Sequence, residues 1–172
     1  ESLQVLDGGA TVQDGMDMSI LYLDRRDNSA RFAGAVNPLI LIRDNEQHEV
    51  KATRRSIGPN LAVDPSKNPF TTQEVQLAEG DEVYMFSDGL PDQFGGSKEK
   101  KMGRQPLIDL LSQHSGQPMS KIEKRLRRLM EDWRCDVRQT DYITVMGLRL
   151  KAPSQPQEQT HTQPKEEATA PA

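Results

Sequence analysis

The run Val83-Tyr84-Met85-Phe86, closed by Ser87-Asp88-Gly89, constrains this chain more than any other stretch. A strand with one wet face alternates apolar and polar residues, whereas a nearly continuous apolar run suits a central strand covered on both faces. The chain must therefore supply cover on two sides. It has 172 residues, but residues 151–172 hold four Pro, four Gln and four Ala and no Val, Ile, Leu, Phe, Tyr or Trp. Such a tail buries too little apolar surface to offset its ordering entropy and reads as disordered. The remaining 150 residues suffice for one ordinary domain.

The other elements follow from pattern and punctuation. Residues 18–23 suit a strand, 24–29 a polar turn, and 30–35 the return strand of a hairpin. Asn37-Pro38 breaks the chain before a strand over 39–43, with 49–53 as its expected partner. A loop with the breakers Gly58-Pro59 and Asp64-Pro65 leads to strands over 73–77 and 82–87, on either side of the turn Glu79-Gly80-Asp81. Pro106 suits a first helical turn, with Leu107, Ile108, Leu110 and Leu111 on one side of a short helix. In a second helix Ser120 and Glu123 have capping-box spacing, and Ile122, Leu126, Leu129, Met130 and Trp133 fall on one face. Residues 143–150 form the last strand. Strands first, then helices, then a closing strand favour an α+β fold of antiparallel sheets with segregated helices over a doubly wound one.

Several function classes lose support. No apolar run approaches the ~18 residues of a membrane span. No secretory signal opens the chain. A lone cysteine, Cys135, offers no internal disulfide, which fits a reducing, cytoplasmic compartment. The net charge of -4 argues against a nucleic-acid binder relying on an overall basic field. His48, His114 and His161 are scattered, and no zinc-hydrolase, serine-esterase or phosphate-loop motif is present. Residues 121–138 carry seven basic and four acidic side chains, interleaved as on a solvated helix face. The same segment with the Pro/Gln tail also admits a membrane-surface or scaffold role, although membrane contact is not expected.

Two acids remain as candidates for chemistry. Asp88 stands at a strand end beside Gly89, which permits close backbone approach. Asp141 opens the last strand, between Thr140 and Tyr142. Two carboxylates meeting at one sheet edge, completed by water, suit Mg²⁺ or Mn²⁺ better than zinc.

With these pieces in place, residues 34–43 (Gly-Ala-Val-Asn-Pro-Leu-Ile-Leu-Ile-Arg), Gly80-Asp81 with Tyr84 through Gly89, Asp92-Gln93-Phe94-Gly95-Gly96, and Gln139-Thr140-Asp141 with Ile143-Thr144-Val145 resemble the SpoIIE-like branch of bacterial PPM-type (protein phosphatase 2C) serine/threonine phosphatases. The likeness covers residues 14–150, leaving 1–13 as a lead-in or truncated edge and 151–172 as tail. It implies two antiparallel sheets packed face to face with helices outside. It implies hydrolysis of phosphoserine or phosphothreonine on a regulatory partner, typically an anti-sigma-factor antagonist of the STAS type, in partner switching. It also implies two Mg²⁺ or Mn²⁺ ions activating water, with Asp88 and Asp141 as metal ligands and Gly89 and Tyr142 beside them.

Two departures from the family pattern stand out. Its N-terminal Asp-x-Thr-Gly-His-Gly motif, whose Asp bridges the metals, does not occur in the chain. Tyr142 stands where the family has Asp or Asn. The expectation is therefore the C-terminal portion of a phosphatase domain, incomplete at its N-terminus and inactive by itself. Any membrane anchor of the parent protein would lie upstream. The alternative is a degenerate phosphatase module that binds a phosphoprotein without hydrolysing it.

Overall fold

The computed structural model describes residues 15–58 and 66–151. The expected lead-in over 1–13, the breakers Pro59 and Asp64-Pro65, and the tail beyond residue 151 lie outside the described residues. The strands are β1 (Met18–Asp24), β2 (Ser29–Ala35), β3 (Leu39–Arg43), β4 (Glu46–Val50), β5 (Gln73–Gln76), β6 (Glu82–Phe86), β7 (Phe94–Gly95), β8 (Lys100–Lys101) and β9 (Val145–Arg149). The helices α1 (Gln105–Gln113) and α2 (Met119–Arg134) lie between β8 and β9 in sequence.

Three antiparallel sheets result, of order β1-β2-β5, β4-β3-β6-β9 and the small hairpin β7-β8. The apolar run becomes β6, an inner strand between β3 and β9. Its side chains alternate between two cores. Val83 joins Leu39 and Leu41 of β3 and Ala30 and Phe32 of β2 in the layer between the two larger sheets. Tyr84 and Phe86 join Ile40 and Ile42 on the opposite face, under Leu107, Ile108 and Leu111 of α1 and Ile122 of α2. The molecule is thus layered sheet, sheet, helices, as the α+β reading expects, and both faces of β6 are covered.

Between β5 and β6 the chain crosses from one sheet to the other. Buried Asp81 fixes this crossing, accepting from Arg43 Nε at 2.9 Å and from the Ala78 backbone N–H at 2.8 Å. At the start of β6, next to Asp81, fully buried Glu82 binds Arg149 of β9 and the Gly116 N–H of the turn between the helices. Backbone and side chain together therefore tie the helical layer to the sheet.

Two local expectations are corrected. The partner of β3 is residues 46–50, not 49–53. Asp44 and Asn45 both have positive φ (51° and 65°), the geometry of a tight hairpin, which pairs Arg43 with Glu46. The polar sequence Glu-Gln-His-Glu-Val hides this strand because it is an exposed edge, and Thr53 instead bridges to Ala35. The capping box is also absent. Helix α2 begins after Pro118 with no side-chain cap, Ser120 lies inside the first turn, and Glu123 pairs with Arg127. Pro118 already sets an extended entry (ψ 135°), so the helix starts one residue before Ser120.

Candidate metal centre

Asp88 follows the C-terminal end of β6, and Asp141 precedes the start of β9. These neighbouring strands are antiparallel, with Phe86 opposite Val145. Both acids therefore emerge at the same end of the same strand pair, and both are exposed.

Short contacts lock this end. The Ser87 N–H donates to the Thr144 carbonyl at 3.0 Å, continuing the ladder one step past β6. The Ser87 hydroxyl accepts from the Thr144 N–H at 3.0 Å and donates to the Tyr142 carbonyl at 3.1 Å. On the other side of Asp88, Gly89 is buried so closely against Tyr142 that a Cβ there would overlap the Tyr142 carbonyl oxygen. Glycine is required here for contact rather than for an unusual φ. Asp88 is thus flanked by two residues that both touch the segment following Asp141. The Asp141 carboxylate accepts from the Tyr142 N–H at 2.6 Å, and Gln139 donates to the Asp141 carbonyl at 2.8 Å.

The turn after Asp88 is anchored too. The Asp92 N–H donates to the Asp88 carbonyl at 2.8 Å. The Asp92 carboxylate takes Lys101 of β8 at 2.6 Å. Gly95 and Gly96 lie against Trp133 of α2, and the Gly96 N–H donates to the Trp133 carbonyl at 2.8 Å. Ser87 and Gln93 carry no chemical signal of their own in the sequence. Both lie inside the motifs that carry the family resemblance, so their position was the available signal.

The donor set fits a hard divalent cation in kind, being two carboxylates with open solvent around them. It is short in number. Among the described residues no group of three or more His, Cys, Asp or Glu is placed to hold an ion. Tyr142, beside Asp141, is 90% exposed and adds no carboxylate. A groove of about 580 Å³ lies elsewhere, between α2 and β9, lined by Met119, Leu126, Met130 and Val145, and neither acid borders it. Among the described residues no helix is long and apolar enough to cross a membrane.

This arrangement of antiparallel sheets packed face to face with helices outside matches solved PPM (PP2C) protein phosphatase domains. The SiaA PP2C domain of Pseudomonas aeruginosa matches with a TM-score of 0.70 and 29% identity, over 78% of this chain and 52% of that one. The phosphatase domain of SpoIIE from Bacillus subtilis matches with a TM-score of 0.59 and 16% identity, over 80% of this chain and 60% of that one. The RsbU and RsbW domains of Rv1364c from Mycobacterium tuberculosis match with a TM-score of 0.61 and 20% identity, over 80% of this chain and 37% of that one. Among curated proteins no relative matches. The model of the family described as Stage II sporulation protein E (SpoIIE) matches residues 4–151, and the chain belongs to that family. It spans about half the length of the SiaA domain.

Proposed function

We propose that this chain serves in the hydrolysis of phosphoserine or phosphothreonine on a regulatory partner protein of the STAS type, with Asp88 and Asp141 as oxygen ligands to Mg²⁺ or Mn²⁺. The observation that supports this reading is the seam between residues 87–89 and 142–144, which presents both acids at one sheet end. When bound, such ions activate water for in-line attack on phosphorus and neutralise phosphoryl charge. The chain's own residues supply the frame. Ser87 and Gly89 hold the Asp88 backbone against the Asp141 segment, and from that frame the two carboxylates would hold the cation.

The test is Mn²⁺ binding to the chain, followed by the electron paramagnetic resonance of the free ion, alongside phosphate release from a phosphopeptide. Asp88→Asn and Asp141→Asn should each weaken binding about tenfold or more, since each removes a charged ligand. Binding that is identical in wild type and both variants would falsify the ligand assignment.

A second reading is favoured by one observation, the exposed Tyr142 beside Asp141. In it the module recognises a phosphoprotein without hydrolysing it. Binding of the phosphopeptide with no phosphate release, in the presence of Mn²⁺, would select it.

A further inference from the structure

The motif Asp92-Gln93-Phe94-Gly95-Gly96 follows Asp88 and packs against Trp133 of α2. Its second residue is unusual. Gln93 is 1% exposed, yet it lies on a loop whose neighbours Asp92 and Phe94 are exposed. Its backbone N–H donates to Leu90 at 3.3 Å, and its backbone carbonyl accepts from the Met102 N–H at 3.0 Å and from Trp133 Nε1 at 3.0 Å. Its side-chain amide reaches the other way. Nε2 donates to the Phe94 carbonyl at 2.9 Å and to the Arg138 carbonyl at 3.2 Å. Both partners are acceptors, so the amide nitrogen must face them and the flipped orientation is disfavoured.

Arg138 lies three residues before Asp141, and Gln93 five residues after Asp88. The amide therefore joins the turn that follows one acid to the segment that precedes the other. It does so at a cost. Among the described residues Gln93 Oε1 is buried with no hydrogen-bond partner. An orphaned buried acceptor costs about 1–3 kcal/mol, which an apolar side chain of similar volume at this position would avoid. The same replacement would also strip the Phe94 and Arg138 carbonyls of their donor, so what the glutamine contributes is the tie between the two segments.

We infer that Gln93 is a positioning residue, a buried clamp that sets the spacing of the Asp88 turn and the Asp141 segment and thereby the joint affinity of the two acids for a divalent cation. This rests on the ligand reading proposed above. Together with Ser87 it makes a two-point closure. Ser87 fixes the strand ends, and Gln93 fixes the loop beyond them.

The experiment uses the full 172-residue chain in two variants. Gln93→Leu keeps volume and removes the amide. Gln93→Asn keeps the amide and shortens its reach. Amide hydrogen exchange is measured by NMR in EDTA, and Mn²⁺ affinity is measured separately by calorimetry. Both variants should speed exchange at Ser87 and Thr144 by about tenfold or more, while Leu41 and Val83 in the sheet keep their protection. Both should weaken Mn²⁺ binding by about tenfold or more. A purely structural role would lower protection at Leu41 and Val83 as well. Unchanged exchange at Ser87 and Thr144 in both variants overturns the clamp. Accelerated exchange with unchanged Mn²⁺ affinity overturns the positioning role. A wild-type chain that takes up no Mn²⁺ overturns the ligand reading, and the positioning role with it. That failure is told apart because it appears in the wild type, before any substitution.

Discussion

Glu82 and Arg149 form an ion pair at 2.6 Å in which the carboxylate is wholly buried and the guanidinium stays partly exposed. Among the described residues the arginine is the only cation paired with this carboxylate, which also accepts from the Gly116 N–H at 2.7 Å and the Tyr84 hydroxyl at 2.5 Å. Removing the cation leaves a buried charge without its counter-ion. Arg149→Met should therefore destabilise the fold by about 3–5 kcal/mol, read as a lower urea midpoint at unchanged slope. A loss below about 1 kcal/mol would mean that solvent reaches Glu82.

Tyr84 shares this cluster and gives it a pH signature. Burial pushes its phenol well above the usual value of 10.0, and the hydrogen bond to the Glu82 carboxylate adds to the rise. The folded chain then holds the proton where the unfolded chain releases it. This contribution is fully present below pH 10.0 and is lost as pH rises beyond it, at up to about 1.4 kcal/mol per pH unit for one proton. Alkaline titration followed by tyrosinate absorbance should show a portion of the signal appearing only with cooperative unfolding. The Tyr84→Phe variant should lack that portion.

Asp81 works in the acid direction. Burial pushes its carboxyl up, but the hydrogen bonds from Arg43 and from the Ala78 N–H, with the Arg43 charge, outweigh it and leave the group lowered. The sign is therefore opposite to that of Tyr84. The stabilisation is present above the ordinary carboxyl value of 3.8 and is lost as pH falls through the lowered one. Asp81→Asn should reduce stability at neutral pH and flatten its decline below pH 3.8, measured as urea midpoints across that range.

These pairs show what the amino-acid order made legible. The continuous apolar runs of Leu39–Arg43 and of β6 carry their own burial pattern, so two strands covered on both faces follow from the sequence. Asp88 and Asp141 were visible as acids at strand ends, and pairing of β6 with β9 brings those ends together. What stayed hidden has no periodic signature. The polar edge strand β4 is set by the φ values of Asp44 and Asn45 rather than by hydrophobicity. The hairpin of β7 and β8 has only two residues per strand. Gln93 looks like any loop glutamine until Trp133 and Arg138 close over it.

The seam at Gly89 yields a prediction with an internal control. A methyl at Gly89 meets backbone, the Tyr142 carbonyl, which cannot swing aside as a side chain would. Gly89→Ala should part the Asp88 turn from the Asp141 segment, costing about 1–3 kcal/mol by overpacking and weakening Mn²⁺ binding. Gly80 has a positive φ of 90° and open space around it, so Gly80→Ala is penalised only through backbone strain, by about 1–2 kcal/mol. The two variants should lose similar stability in urea. Only Gly89→Ala should lose metal affinity in calorimetry.

Tyr142 stands where the family resemblance leads one to expect an acid or amide, and it can be exchanged at little structural expense. Its side chain is almost fully exposed, so Tyr142→Asp should change folding stability by no more than about 0.5 kcal/mol. Its backbone is already fixed, with its N–H on the Asp141 carboxylate and its carbonyl on the Ser87 hydroxyl. The new carboxylate would therefore enter a held frame next to Asp141, and added ligand charge raises affinity for a hard cation. Mn²⁺ binding should tighten on the order of tenfold. If Tyr142→Asp leaves affinity unchanged while Asp141→Asn lowers it, residue 142 points away from the ion and the tyrosine is neutral toward metal. If phosphate release from a phosphopeptide rises with the tighter binding, the tyrosine is what holds the module's activity down.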